Sequence, residues 1–531
     1  MILQRRGPAD ARSHETASPL RALEPSSKRG GTLRYGAPSS AAHFDIHQSG
    51  TVANLGAQGP MYDNLVRRDP RDGQTIIGDL AWKWDIAPDG KRYIFHLRRG
   101  VQFHDGADFT AEDVNATFAR IVWPPKGVVS PRAPLFSAVS EIRVLDPHRI
   151  EFTLREPRPS KFMLAAFASG WNVIVRKKTL EERDGNLRQV PNYPGTGPFR
   201  HVSRKQDEVW VMERNPHYWN TPLPYLDRLE VYHFPAFSPQ LGGALLGGRL
   251  DYARIVDGAT LKKAKATATM AGATYYQTAI EAVWINTQHK PFDDPRVRRA
   301  LHLVLDRHAL IDIAKESAPY LLGGFTYPFS EWATPPDEMS KRLGYQGDPK
   351  AAVQEARRLM AAAGYGKALR NLDVVVRDGA IWKLWAVAIQ AMFKEALNIE
   401  TTLRTVQVSI FFEETQAGNF DLSIGAIAST LTDPSDYFHA WYGKDAPQNY
   451  SKWHSPAFEG LVGQIDREVD EGRRKTLVRQ AEAILEQDPP VLPIAWEQLS
   501  DAWYTYVRGI NPRLISGVYD VVRWDIAWLD K

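Results

Sequence analysis

From Trp84 to Ile86 and again from Arg92 to Leu97, apolar and polar side chains alternate with the period of a half-buried strand. Pro88-Asp89-Gly90 between the two runs supplies turn chemistry. Thr110-Ala111-Glu112-Asp113 reads as a capping box, and Val114, Phe118 and Ile121 behind it recur at helical spacing. A second alternating pair, Glu141 to Leu145 and Arg149 to Leu154, is joined by Asp146-Pro147 and predicts another hairpin. Upstream, Gly30-Gly31 punctuates the start of a strand-like run, Thr32 to Tyr35. Downstream, a Pro- and Gly-rich stretch, Pro191 to Phe199, leads into strands at Glu208 to Arg214 and Leu226 to Phe234.

After about residue 275 the texture changes. Asp294-Pro295 offers an N-cap with proline at the first helical position, and Val297, Leu301, Val304 and Leu305 follow at helical spacing. Helical patterns recur at Lys350 to Ala363, Trp382 to Ala396, Phe458 to Asp466 and Arg473 to Glu486. Strands sit among them at Asp373 to Val376, Ile399 to Arg404 and Leu422 to Ile427. Alternation of strand and helix predicts an α/β lobe, and no internal repeat of 20 to 50 residues is present.

Composition narrows the class. The chain has 531 residues, 43% hydrophobic and 24% charged, which is ordinary globular usage and excludes collagen, whole-chain disorder and disulfide scaffolds. Lys and Arg number 66 against 62 acidic residues, a balance that disfavours a nucleic-acid binder. With no cysteine, the chain has no disulfide, thiolate metal site, cysteine nucleophile or lipid-modified cysteine. No run approaches the roughly 18 apolar residues of a membrane span; Ile381 to Phe393 is short and carries Lys383 and Gln390. Residues 1–30 hold Arg5-Arg6 without an apolar run after them, do not read as an export signal, and have the composition of a disordered tail.

Catalytic motifs fail in turn. No G-x-S-x-G elbow or H-E-x-x-H occurs, and Gly364-Tyr365-Gly366-Lys367 is followed by Ala368 where a phosphate loop needs Ser or Thr. Gly195-Thr196-Gly197 lacks a third glycine. His43-Phe44-Asp45-Ile46-His47 offers two imidazoles and a carboxylate to a metal, but loop polarity accounts for it more simply. Nothing compels an enzyme, and no cofactor is implied.

Gly78-Asp79-Leu80-Ala81-Trp82-Lys83-Trp84, Pro88-Asp89-Gly90-Lys91 and the run Phe95 to Gly106 together resemble the opening signature of extracytoplasmic solute-binding proteins of family 5. This is the dipeptide, oligopeptide and nickel class of ABC importers. Later blocks agree in order: Gly195-Thr196-Gly197-Pro198-Phe199, Arg214-Asn215-Pro216-His217-Tyr218-Trp219, Gly248-Arg249-Leu250-Asp251, Pro291-Phe292-Asp293-Asp294 and Asp433-Pro434. The resemblance implies a two-lobed α/β periplasmic-binding-protein fold with a hinge. Lobe I would span 31–275 with an extra subdomain at about 62–190 and a return over 497–531, and lobe II would span 276–496.

By the same resemblance, a peptide would add as a strand beside Gly425 to Thr430, bringing Ala428, Ser429 and Thr430 to the ligand. Thr430 stands where peptide-binding members carry an aspartate for the α-ammonium, which points to N-blocked, peptide-like or sugar-like ligands, with Asp433 as an alternative source of charge. Arg377 lies where members place an arginine for the ligand carboxylate; its other reading is a solvated turn residue beside Asp378-Gly379. Tyr275, Tyr276 and Trp284 flank the crossover, as cleft-lining aromatics or as core, and His43 and Phe44 fall in a loop that resembles a ligand-facing segment of lobe I. The expected protein is a periplasmic monomer that hands a small-molecule ligand to ABC permease subunits, with no nucleic-acid partner. A hydrolase of the same ligand would need a nucleophile or metal that the chain does not display, and a cytosolic sensor rests only on the missing export signal.

Overall fold

The computed structural model describes residues 12–15, 27–38, 40–41, 43–49, 52–190, 193–235, 238–315, 319–444, 446, 448–510 and 523–531. The chain forms two compact units, one of residues 1–275 with 500–531 and the other of residues 276–499. It passes from one to the other inside two long strands, Met270–Ile285 and Val491–Tyr504.

In the first unit, strands Ala81–Ile86 and Arg92–Leu97 pair antiparallel with Trp84 opposite Phe95. The turn between them needs Gly90, whose φ is +69°. Thr110 caps helix Ala111–Val122 as the sequence predicts, with its backbone N–H donating to Asp113 Oδ2 at 2.9 Å. The second hairpin forms from Val139–Asp146 and Arg149–Leu154, and Arg12–Glu15, within the segment read as a tail, pairs with Ala81–Ile86 as the fifth strand. Phe95 and Phe152 from this sheet meet Phe118 and Phe167 from the helices, with ring centroids 4.8 to 5.8 Å apart.

The remainder of this unit is a sheet in which Thr32–Pro38 runs parallel to both Arg228–Phe234 and Tyr252–Arg254. Its C-terminal segment enters a buried ion network. Arg523 lies 2.9 Å from Asp63 and 2.6 Å from Asp79, and Arg67 lies 2.7 Å from Asp525.

The second unit centres on strands ordered Ile399–Val406, Leu369–Arg377, Leu422–Ala428, Met270–Ile285 and Val491–Tyr504. The first three run parallel. Their faces separate by residue parity: Val374, Val376, Ile424 and Val283 pack into one core, while Val375, Ile427, Ala282 and Trp284 pack into another. Asp294 caps helix Pro295–Val304, whose Val297, Leu301 and Val304 are buried as their spacing predicts.

Candidate functional site

The β-branched run Val374-Val375-Val376 holds strand Leu369–Arg377 in the middle of its sheet, and the strand ends at Arg377. Asp378 and Gly379 turn the chain into helix Ala380–Leu397. A Cβ at Gly379 would collide with the Trp382 ring, so the residue that makes the turn is also the one that lets Trp382 fold back. The Arg377 guanidinium carbon sits 4.2 Å from the centre of that ring and 5.7 Å from that of Phe412. Among the described residues none accepts a hydrogen bond from Arg377 or forms an ion pair with it, and its enclosed Nε is unpartnered. Burial lowers its pKa, opposed by the nearby charges of Glu281, Glu497 and Tyr320. An arginine keeps its charge through such a shift, so the site presents a half-buried cation with unfilled donors.

Two carboxyl groups share this neighbourhood. Glu281, on Met270–Ile285, accepts from Trp382 Nε1 at 2.8 Å. Burial raises its pKa to about 7 against the pull of that bond and of Arg377. Glu497, on Val491–Tyr504, accepts a short bond from Gln277 Nε2. Burial, and then the charge of Glu281, raises it to about 8 against Arg377. Tyr320 lies opposite Glu497 in a short antiparallel pairing, and burial holds its phenol well above the usual range.

Beside Arg377 the sheet has an open edge. Strand Leu369–Arg377 pairs with Leu422–Ala428 only from Val374↔Leu422 to Val376↔Ile424. Beyond Ile424, among the described residues, no strand lies on that side of Gly425 to Ala428, while the other side stays paired with Ala279 to Ala282. A Cβ on Gly425 would come within 2.6 Å of the Phe411 ring, so glycine lets that ring pack onto the strand backbone.

The segment that follows is folded around carboxylates already in use. Asp436 Oδ2 accepts from the backbone N–H of Thr430 at 2.9 Å and of Leu431 at 2.8 Å. Ser429 Oγ lies 2.7 Å from both this oxygen and the Leu431 carbonyl. Asp433 caps helix Pro434–Tyr442 through the Ser435 N–H and is held by two bonds from buried Arg474, at 2.7 and 2.6 Å. Its carboxylate therefore has a structural task, and Thr430 has no free carboxylate from either aspartate beside it.

The chain thus brings Ala428, Ser429, Thr430 and Asp433 into one segment, with Arg377 at the end of the neighbouring strand. The other sequence-predicted residues lie elsewhere. Trp284 is buried in the core against Tyr450, at 5.8 Å between rings. Tyr276 is 37% exposed and stacks on Phe329. Tyr275, in the first unit, is buried; its hydroxyl donates to Asp501 Oδ1 at 3.0 Å and accepts from Arg254 Nε at 2.9 Å. In the same unit the His43 ring meets Asn54 Nδ2 at 3.2 Å, and Phe44 lies edge-on to Trp210 with Arg204 over its face. Asp45 and His47 are both engaged by Arg120. Glu281, Glu497 and Gln277 were not singled out from the sequence. The available signal was a lone glutamate in the apolar run Ala279-Ile280-Glu281-Ala282-Val283-Trp284-Ile285.

Comparison with known proteins places this architecture. The chain is 28% identical over 525 residues to a dipeptide-binding protein of Pseudomonas aeruginosa, covering 94% of this chain and 96% of that protein. It superposes on the periplasmic binding protein DppA of Helicobacter pylori, solved with the peptide STSA, with a TM-score of 0.78 at 24% identity, over 95% of this chain and 99% of that one. It superposes equally on AgaA of A. tumefacien R10, solved with agropinic acid, with a TM-score of 0.78 at 20% identity, over 94% and 99% of the two chains. These two likenesses show the two-lobed α/β fold. Among the described residues no helix is long and apolar enough to cross a membrane. The family model for bacterial extracellular solute-binding proteins, family 5 (Middle), matches residues 75–449, and the chain belongs to that family.

Proposed function

We propose that this protein is the solute-capturing component of an ABC importer, taking a peptide or peptide-like solute that carries a carboxylate and delivering it to a membrane permease. The observation that carries the reading is the open strand edge at Gly425 to Ala428 with the unpaired Arg377 guanidinium at its end. Backbone groups on such an edge accept an extended chain in register whatever its side chains, and the arginine fixes the end that bears the anion. The dipeptide-binding relative and the peptide-bound structural neighbour support the ligand class. The agropinic acid complex supports widening it beyond plain peptides. The protein acts outside the cytoplasm, in the periplasm, as a monomer, and has no turnover of its own.

The test is mass spectrometry of the small molecule that co-purifies with the protein, followed by calorimetry with the identified compound. A carboxylate-bearing peptide-like solute, released by Arg377→Ala, is the expected outcome. A ligand without an anionic group, or one bound equally by the variant, would refute the reading.

A further inference from the structure

Arg377 does not stand alone in its charge environment. Glu281 and Glu497 approach it from two other strands and pair with it through neither a hydrogen bond nor a contact ion pair. Each has one oxygen held by a neutral donor, Trp382 Nε1 for Glu281 and Gln277 Nε2 for Glu497. These donors fix the carboxyl groups without neutralising them. Counting charge, the cluster is −1 with both glutamates ionised, 0 with one proton on the pair, and +1 with two. Among the described residues the other charged or titratable groups at hand are Tyr320, neutral under physiological conditions, and the exposed Asp378–Lys383 pair, 2.7 Å apart and self-compensating.

We propose that Glu281 and Glu497 are specificity-determining residues of the Arg377 site, making the capture of a carboxylate there proton-coupled: an anionic ligand group is held together with a proton on the carboxyl pair. The inference rests on the reading of Arg377 as the anion anchor. An incoming carboxylate that meets an ionised pair is repelled by two fixed charges and attracted by one; each proton taken up by the pair removes one of the repulsions. Burial has already moved both glutamates into the range where the pair changes its proton count near neutrality. A bound anion raises them further, so one proton passes from solvent to a glutamate oxygen as the ligand enters. Affinity is then full at low pH and is lost as pH rises through the titration of the complex. A ligand whose matching group is a neutral amide escapes this dependence.

The probes are N-acetyl-Ala-Ala, whose carboxylate does not titrate over the range used and whose amine is blocked, and its C-terminal amide. We expect the carboxylate form to lose about tenfold or more in affinity between about pH 6 and pH 9, and the amide to change by less than about twofold. In the Glu281→Gln, Glu497→Gln double variant, the carboxylate form is expected to bind more tightly than to the unsubstituted protein at the high-pH end. A flat profile for the carboxylate form, or one that rises with pH, overturns the proposal and leaves the ligand class standing. If neither compound binds at any pH, the ligand class fails instead, and the cluster is judged without a peptide. In protein labelled with 5-fluorotryptophan, the Trp382 resonance, assigned through Trp382→Phe, is expected to titrate over the same range. Its midpoint should rise in acetate relative to an equal concentration of chloride. A Trp382 signal that does not titrate, or that ignores acetate, overturns the proposal.

Discussion

The two units treat buried charge in opposite ways. In the first, Arg523 is bonded to Asp63, Asp79 and Asn64, Arg67 is bonded to Asp525, and all these groups are buried. Both guanidinium groups of this network are bonded to carboxylates. In the second, Arg377 is held by the faces of two rings, and the two carboxyl groups nearby are tied to neutral donors. A cation whose charge is already matched by buried carboxylates serves the fold. Arg377, positioned by aromatic rings, has no carboxylate bonded to it among the described residues, which is the condition that the proposed anchoring of a ligand anion requires. Burial alone does not distinguish the two arginines; the carboxylate bonds that Arg523 makes and Arg377 lacks do.

The widest separation should appear in stability. Arg523→Met leaves Asp63 and Asp79 buried without their counterion and should cost about 3 to 5 kcal/mol in urea unfolding of the first unit. Arg377→Met should cost less than about 1 kcal/mol, because it removes a charge that no bond repays. Equal losses from the two substitutions would erase the distinction. Next comes binding: Arg377→Ala should lose about 2 kcal/mol, roughly thirtyfold, for the co-purified ligand in calorimetry. Lysine at 377 should recover only part of this, lacking the planar fork.

A smaller effect concerns Thr430. Because Asp433 and Asp436 are both already bonded, Thr430→Asp should improve binding of a free-amino tripeptide by about tenfold, as the only uncommitted carboxylate in the segment. Micromolar binding of a plain tripeptide by the unsubstituted protein would show that the charge comes from elsewhere. The smallest effect is on the pH dependence of folding. The folded protein keeps protons on Glu281 and Glu497 that the unfolded chain has released above its ordinary glutamate pKa, so these residues lower stability as pH rises towards about 8. Glu497→Gln should therefore raise Tm by about 2 to 4 °C near pH 8.5 and leave it unchanged near pH 5. A gain of equal size at both ends would point to packing in place of charge.

Much of the scaffold was legible because its signals are local. Pro88-Asp89-Gly90, the Thr110–Asp113 capping box and Asp294-Pro295 each act within four residues, and each appears where the sequence places it. The blocks that carry the family resemblance are of this kind. The charge cluster was not legible, because Glu281, Arg377 and Glu497 are far apart in sequence and are assembled only by strand order. Trp284 shows the converse failure. An aromatic residue near a crossover reads equally as a cleft wall or as core, and only the parity of its strand, which sends it to the face shared with Ile280 and Ala282, assigns it to the interior.

The C-terminal ion network also bears on the order in which the protein is made. Residues 276–499 are continuous, so the second unit has its whole sequence before the first unit is finished. The first unit waits for Arg523, Asp525 and the strand Trp528–Leu529, which pairs with Val507–Arg508. Until residues 523–531 have been synthesised, Asp63 and Asp79 lack the cation that allows them to be buried together. During vectorial synthesis the amino-terminal unit is therefore the last to close, against the usual sequence of N-terminal domain first, and its oldest residues stay exposed to chaperones the longest.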